Sequence, residues 1–220
     1  REKGLEGLAK AILTPGVNPV KEAEKYLSEE KEVCSVEEAL NYAKDILAEE
    51  FSENASYREW IRNKTMELGS ISSSKKDAEE NPDAKTYEMY FDYEEKVKTI
   101  PGYRTLAINR GEKEKVLSVK LNFPQEEIIA YLENQAGKAL QGENLRLLQE
   151  AVLDSFKRLI SPSIETEIRN ILTEKAEDGA IAIFADNLKQ LLMQAPIVGK
   201  VVLGWDPGFR TGCKIAVVDP

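Results

Sequence analysis

Apolar positions recur at helical spacing along the first third of the chain. Leu5, Leu8, Ala9 and Ile12 form one stripe, which Thr14-Pro15-Gly16 ends. Asn18-Pro19 reads as a helix start, because Asn caps free N–H groups and Pro fits the first turn. That helix is expected to run to about Ser28. Ser35-Val36-Glu37-Glu38 is a capping box opening a helix with Ala39, Leu40, Ala43, Ile46, Leu47 and Phe51 on one face. Ser56 and Glu59 read as a second capping box, ahead of Trp60, Ile61, Met66 and Leu68, with Gly69 as the C-cap.

The pattern lapses over residues 70–84, a polar stretch with a Ser run and a Pro, read as a flexible linker. The aromatics return at Tyr87, Tyr90 and Phe91, whose i, i+3, i+4 spacing predicts the buried face of a short helix. A base-stacking platform is the competing reading, and Glu88, Asp92, Glu94 and Glu95 beside it oppose a phosphate backbone. Residues 101–111 predict a helix ending at Gly111, and residues 116–121 a strand. Pro124 starts a helix bearing Ile128, Ile129 and Leu132. Leu145, Leu148, Val152, Phe156 and Leu159 mark another, ending near Ser161. Pro162 opens a long one through Leu192, with Gly179 as a possible bend and Ala195-Pro196 as its stop.

From Val201 the helical pattern gives way to β-rich apolar runs. Residues 201–206 and 213–219 read as strands of a hairpin joined by Pro207-Gly208-Phe209-Arg210-Thr211-Gly212. A lone two-stranded hairpin is marginal in water, so its apolar positions call for a further strand or helix. The chain lacks an initiator Met and stops at Pro220 directly after the strand-like run, so it is expected to be an excerpt of a longer protein. The fold class is mainly α, a multi-helix domain with a small β component near 116–121 and in the C-terminal hairpin. The expected divisions are a helical region at 1–69, the linker at 70–84, a helical region with one strand at 85–199, and a distinct start at 200–220.

Composition narrows the chemistry. Among the 220 residues there is no His, which removes Ser-His and Cys-His nucleophilic sites and His-containing zinc sites. Cys34 and Cys213 are too few for a disulfide framework, and a reduced, cytoplasmic chain is expected. No apolar run approaches the ~20 residues that span a bilayer, and no signal-peptide pattern opens the chain. The net charge is −9, and residues 1–100 carry 15 Lys/Arg against 23 Asp/Glu. An acidic surface is a poor partner for phosphates, so any nucleic-acid contact is expected in the second half.

Asp206 ends an apolar strand ahead of Pro-Gly, where its carboxylate meets solvent. Two-metal nucleases place a first-strand Asp in this way to hold Mg²⁺, but the same residue commonly caps a turn, and one carboxylate is not a site. Gly208 and Gly212 bracket Arg210, whose guanidinium can fork onto a phosphate, although a tight hairpin loop accounts for the same residues. Lys214 follows on the second strand. Arg104, Arg110, Lys113, Lys115 and Lys120 make a modestly basic segment interrupted by Glu112 and Glu114.

Several stretches together resemble the Tex family of bacterial transcription accessory proteins. They are REKGLEGLAKAI at 1–12, EEALNYAKDILAEE at 37–50, RTLAINRGEKEKVL at 104–117, FKRLISPSIETEIR at 156–169, AIAIFADNLKQLL at 180–192 and VLGWDPGFRTGCKIAVVD at 202–219. The resemblance implies an N-terminal helical region followed by the first two strands of a YqgF domain with the RNase H-like, RuvC-related fold. Asp206 then matches the first-strand acid, and Gly208, Arg210 and Gly212 match the rest of the family's DPGFRTG. Trp205 departs from the usual aliphatic residue, and Tyr103 from a common His. The resemblance further implies a nucleic-acid-binding parent that assists transcription and whose YqgF domain lacks a full set of nuclease carboxylates, with a nuclease as the alternative for the parent; this chain is not expected to be an enzyme. Arg210, Lys214, Arg104 and Arg110 are the candidate nucleic-acid contacts. No cofactor is expected, since Mg²⁺ belongs only with a complete YqgF domain. Transcription machinery is a further expected partner, and no membrane is.

Overall fold

The computed structural model describes residues 4–76, 82–195, 197–210 and 212–220. It is mainly helical with two small antiparallel sheets, and its contacts divide the chain into two units, Arg1–Glu177 and Asp178–Pro220.

In the first unit, α1 (Glu6–Ile12) and α2 (Pro19–Ala23) pack against α3 (Val36–Glu53). The caps follow from the residue chemistry. The Asn18 side chain accepts from the N–H groups of Val20 and Lys21, with Pro19 in the first turn. The Ser35 hydroxyl accepts from Glu38 N at 3.1 Å, and the Glu38 carboxylate accepts from Cys34 N at 2.8 Å. The second helix is shorter than expected. After Ala23 it tightens into a 3-10 turn, Glu24–Tyr26, and Leu27 is extended. α4 (Ala55–Leu68) starts earlier than Ser56 predicts, because the Asn54 side chain takes the Ser56 and Tyr57 N–H groups. Its end at Gly69 is as expected, but for a different reason than backbone handedness. Gly69 has φ −65, and a Cβ there would lie 2.5 Å from Thr65 O and 3.1 Å from Asn122 O. Glycine is needed for close approach.

Residues 70–75 correct the linker expectation. They form β1 (Ser70–Lys75), the central strand of a sheet ordered β2-β1-β3, with β2 at Asp92–Lys96 and β3 at Leu117–Asn122. Residues 77–81 of that linker lie outside the described ones. Both neighbours of β1 are antiparallel, with Ser72 opposite Glu94 on one side and Lys120 on the other. One face of β1 buries Ile71 and Ser73, whose hydroxyl donates to Tyr90 O at 2.8 Å, while Ser70, Ser72 and Ser74 line the wetter face. Tyr87 and Tyr90 are buried on a 3-10 segment, Pro82–Tyr90, as the packing reading requires.

α5 (Gly102–Lys113) runs two residues past Gly111, which is buried beneath Leu117. α6 (Gln125–Ala136) and α7 (Gly142–Asp154) follow. The break expected at Ser161 is absent. A π-helical segment, Ser155–Ile160, joins α7 to α8 (Ser161–Leu192), with Ser161 N bonded to Phe156 O five residues back. Pro162 has no N–H and its ring crowds the carbonyl four residues earlier, and the wider turn accommodates both. Ser155 donates to Ala48 O at 2.7 Å, fixing this turn against α3. The core joins Leu8, Ile12, Leu47, Ile61, Leu148, Ile160 and Ile164, each fully buried. Burying each such side chain contributes about 1.5–3 kcal/mol.

The second unit holds the rest of α8 and a hairpin of β4 (Val202–Pro207) and β5 (Cys213–Val218). Helix runs unbroken through Gly179. Pro196, part of the expected stop, lies outside the described residues. No helix among the described residues is long and apolar enough to cross a membrane.

Candidate nucleic-acid interface

β4 and β5 pair in a register that puts Asp206 opposite Lys214, Trp205 opposite Ile215, and Leu203 opposite Val217. Side chains alternate along a strand and cross-strand partners share a face. Leu203, Trp205, Ile215 and Val217 therefore line one face, with every one of them more than 60% exposed. Asp206 and Lys214 lie on the other, beside Gly204 and Ala216.

The loop closes through Gly208 N donating to Gly212 O at 3.0 Å, with Gly212 at φ +81, a backbone state that favours glycine. Phe209 and Arg210 stand exposed on this loop, and Thr211 lies outside the described residues. Arg210 has no ion pair among the described residues. The hairpin thus brings Arg210, Lys214 and Asp206 together on one small element. It does not make a metal centre: no group of three or more Asp, Glu, Cys or His side chains able to hold an ion occurs among the described residues.

Arg104 and Arg110 share α5 but are committed to carboxylates. Arg104 Nη1 donates to Glu95 Oε2 at 2.9 Å and to Tyr93 Oη at 3.4 Å. Its guanidinium lies 5.6 Å from the Tyr93 ring centroid and 5.8 Å from that of Tyr103. The Tyr93 hydroxyl also donates to Glu95. Burial, then this bond to Glu95, pushes the Tyr93 phenol up to about 12. The same bond, followed by Arg104, holds the Glu95 carboxyl below its usual range. Arg110 Nε donates to Glu114 Oε1 at 2.8 Å, and the Glu114 pKa is lowered by Arg110 first and by the Tyr87 hydroxyl second.

The same commitment extends through the first unit. Arg58 and Arg62 pair with Glu167, Arg146 with Glu143 and Glu150, Arg158 with Asp45 and Asp154, and Arg169 with Glu112. Every described arginine in residues 4–177 therefore faces a carboxylate. A phosphate has to displace that partner, so these guanidiniums form a weak polyanion surface. Helical spacing makes Arg110–Glu114 and Arg158–Asp154 readable in advance. Arg62–Glu167 and Arg169–Glu112 join elements far apart in the chain, and no local pattern signals them.

A profile described as Tex central region-like matches residues 14–184. The chain belongs to the Tex family. It is 48% identical over its whole length to the protein YdcI of Bacillus subtilis and 36% identical to the protein tex of Bordetella pertussis. It is also 31% identical to the human S1 RNA-binding domain-containing protein 1. It spans 31%, 29% and 23% of those three proteins respectively, under a third of their length. The Tex profile takes in unit one from residue 14 and the first turns of α8 beyond it, but stops short of the hairpin.

Proposed function

We propose that this chain is the helical scaffold of a nucleic-acid-binding, cytoplasmic transcription accessory protein, with the phosphate contacts lying outside residues 4–177. The carrying observation is the pairing of every described arginine of that unit with a carboxylate. Charge supports it. Residues 178–220 hold four Lys/Arg and four Asp/Glu, so the whole net charge of −9 falls on residues 1–177. The names of the relatives, a transcriptional accessory protein among Neisseria proteins and an S1 RNA-binding protein in human, agree with such a parent.

The test is a salt titration of binding to single-stranded RNA and DNA, run on the 220-residue chain and on the full-length protein. The full-length protein is expected to bind with a steep salt slope, and this chain weakly or not at all. Tight, salt-sensitive binding by the 220-residue chain alone overturns the scaffold reading. Within the hairpin, Arg210 and Lys214 are the contacts this reading favours.

A second reading makes the parent a metal-dependent nuclease of the YqgF, RuvC-like type, with Asp206 as its first-strand ligand. Its support is the solvent-facing position of Asp206 at the end of β4. The described residues do not complete a Mg²⁺ site, and Lys214 lies directly across from the carboxylate. Full-length protein with Mg²⁺ or Mn²⁺ then has to cleave structured DNA or RNA, and Asp206→Asn has to abolish it. Absence of cleavage across such substrates removes this reading.

A further inference from the structure

The three-stranded sheet has two unlike edges, and the ladder shows which backbone groups each presents. Lys76 N donates to Val116 O at 2.9 Å, so the groups of Ser118, Lys120 and Asn122 on β3 face β1. Leu117, Val119 and Leu121 then face outward, and this edge is closed: all three are buried, and Leu121 N donates to the Glu165 carboxylate of α8 at 3.2 Å. On the other side, Val97 N donates to Gly69 O at 3.0 Å and Lys75 N to Phe91 O at 3.3 Å. With Ile71 opposite Glu95 and Ser73 opposite Tyr93, it is Tyr93 and Glu95 that bond to β1. Asp92, Glu94 and Lys96 point their backbone groups outward, and all three are exposed. Lys96 O is already taken by Thr99 N and Ile100 N. The N–H and C=O of Asp92 and Glu94 and the N–H of Lys96 have no partner among the described residues.

An open edge is a template for one more strand. Its charge selects the occupant. Asp92 and Glu94 share the solvent face of β2 with Lys96; neither acid has an ion pair among the described residues, and the Glu94 carboxylate accepts from the Ser70 hydroxyl and the Asn122 amide. On the opposite face Glu95 is neutralised by Arg104, and the Tyr93 ring lies beside that pair. We propose that the β2 edge receives an extended segment of a protein partner with Lys or Arg at alternate positions, facing Asp92 and Glu94, and apolar residues between them, facing Tyr93. This surface does not depend on the nucleic-acid reading and survives its failure.

The probes are the synthetic peptides Lys-Val-Lys-Val-Lys and Glu-Val-Glu-Val-Glu, blocked at both ends and titrated into the 220-residue chain. The basic peptide is expected to bind about tenfold or more tightly than the acidic one. It should slow amide exchange at Asp92, Glu94 and Lys96 and leave Leu117 and Val119 unchanged. Glu94→Pro removes an outward N–H without removing a backbone bond to β1, at the loss of the carboxylate that accepts from Ser70 and Asn122, and it should abolish binding while the helical signal persists. The double variant Asp92→Lys/Glu94→Lys should exchange the preference and favour the acidic peptide. Protection on β3, unchanged exchange on β2, or a double variant that keeps the original preference overturns the proposal. So does concentration-dependent self-association that protects the same three amides, since the occupant is then a second copy.

Discussion

Tyr93 joins one aromatic ring, one carboxylate and one guanidinium at the edge of the sheet, and its phenol is raised from 10.0 to about 12, first by burial and then by Glu95. A group whose pKa rises on folding contributes stability that is present below the unfolded value and lost as pH climbs through the folded one. Unfolding free energy should therefore fall between about pH 10 and about pH 12. Tyr93→Phe should flatten that fall, measured by urea titration across the window; an unchanged slope removes Tyr93 as its source. Glu95 works in the opposite direction. Its pKa is lowered by Tyr93 and Arg104, so its contribution is present above the unfolded carboxylate value and lost in acid. Asn144 is a separate case of a single side chain joining elements. It is 8% exposed, and Nδ2 donates to Ile12 O at 2.9 Å and Ala11 O at 3.3 Å at the end of α1. Asn144→Ala leaves those carbonyls short of a donor and should cost about 1–3 kcal/mol, read as a lower urea midpoint at unchanged slope.

At the scale of elements, caps and turns decide where helices begin, and α4 separates two candidates. Asn54 accepts from Ser56 N at 3.0 Å and Tyr57 N at 3.2 Å. Asn54→Ala should cost about 1 kcal/mol, whereas Ser56→Ala should stay within about 0.5 kcal/mol. Equal losses in thermal unfolding contradict this assignment. Asn and Ser are both good caps two residues apart, and only the backbone decides which one holds the N–H groups. The helical stripes of α1, α3 and α7 were legible because an amphipathic face records its period in the residues. β1 was not. Its only apolar member is Ile71, and it is a strand because β2 and β3 bond to both sides of it, a long-range cause that leaves no mark on Ser-Ile-Ser-Ser-Ser-Lys. The π-helical join escaped for a related reason. Pro162 signals a break locally, yet Ser155 bonded to Ala48 and Phe156 packed in the core keep one continuous path.

At the scale of the whole molecule, the candidate interface was half legible. The Asp-Pro-Gly hairpin and its turn glycines were readable from local chemistry, and β4–β5 pairs as that chemistry requires. The withdrawal of Arg104 and Arg110 into ion pairs was readable for Arg110 alone, since Glu95 reaches Arg104 only once β2 folds beside α5. The uneven distribution of burial leads to the last prediction. Among the described residues, the buried hydrophobic ones lie between Leu5 and Ala176, while the second unit exposes Ile181, Phe184, Leu191, Leu203, Trp205 and Val217 by more than 60%. A two-stranded hairpin with both faces wet has little to hold it, so its amides should exchange at the fast end of the range. The core cluster of the first unit is built from residues between Leu5 and Leu172, so removing residues 178–220 takes none of its members. A chain ending at Glu177 should unfold cooperatively with a Tm within about 2 °C of the 220-residue chain, and be the more soluble of the two. Calorimetry on both chains decides it. A Tm lowered by about 10 °C or more means that the second unit stabilises the first.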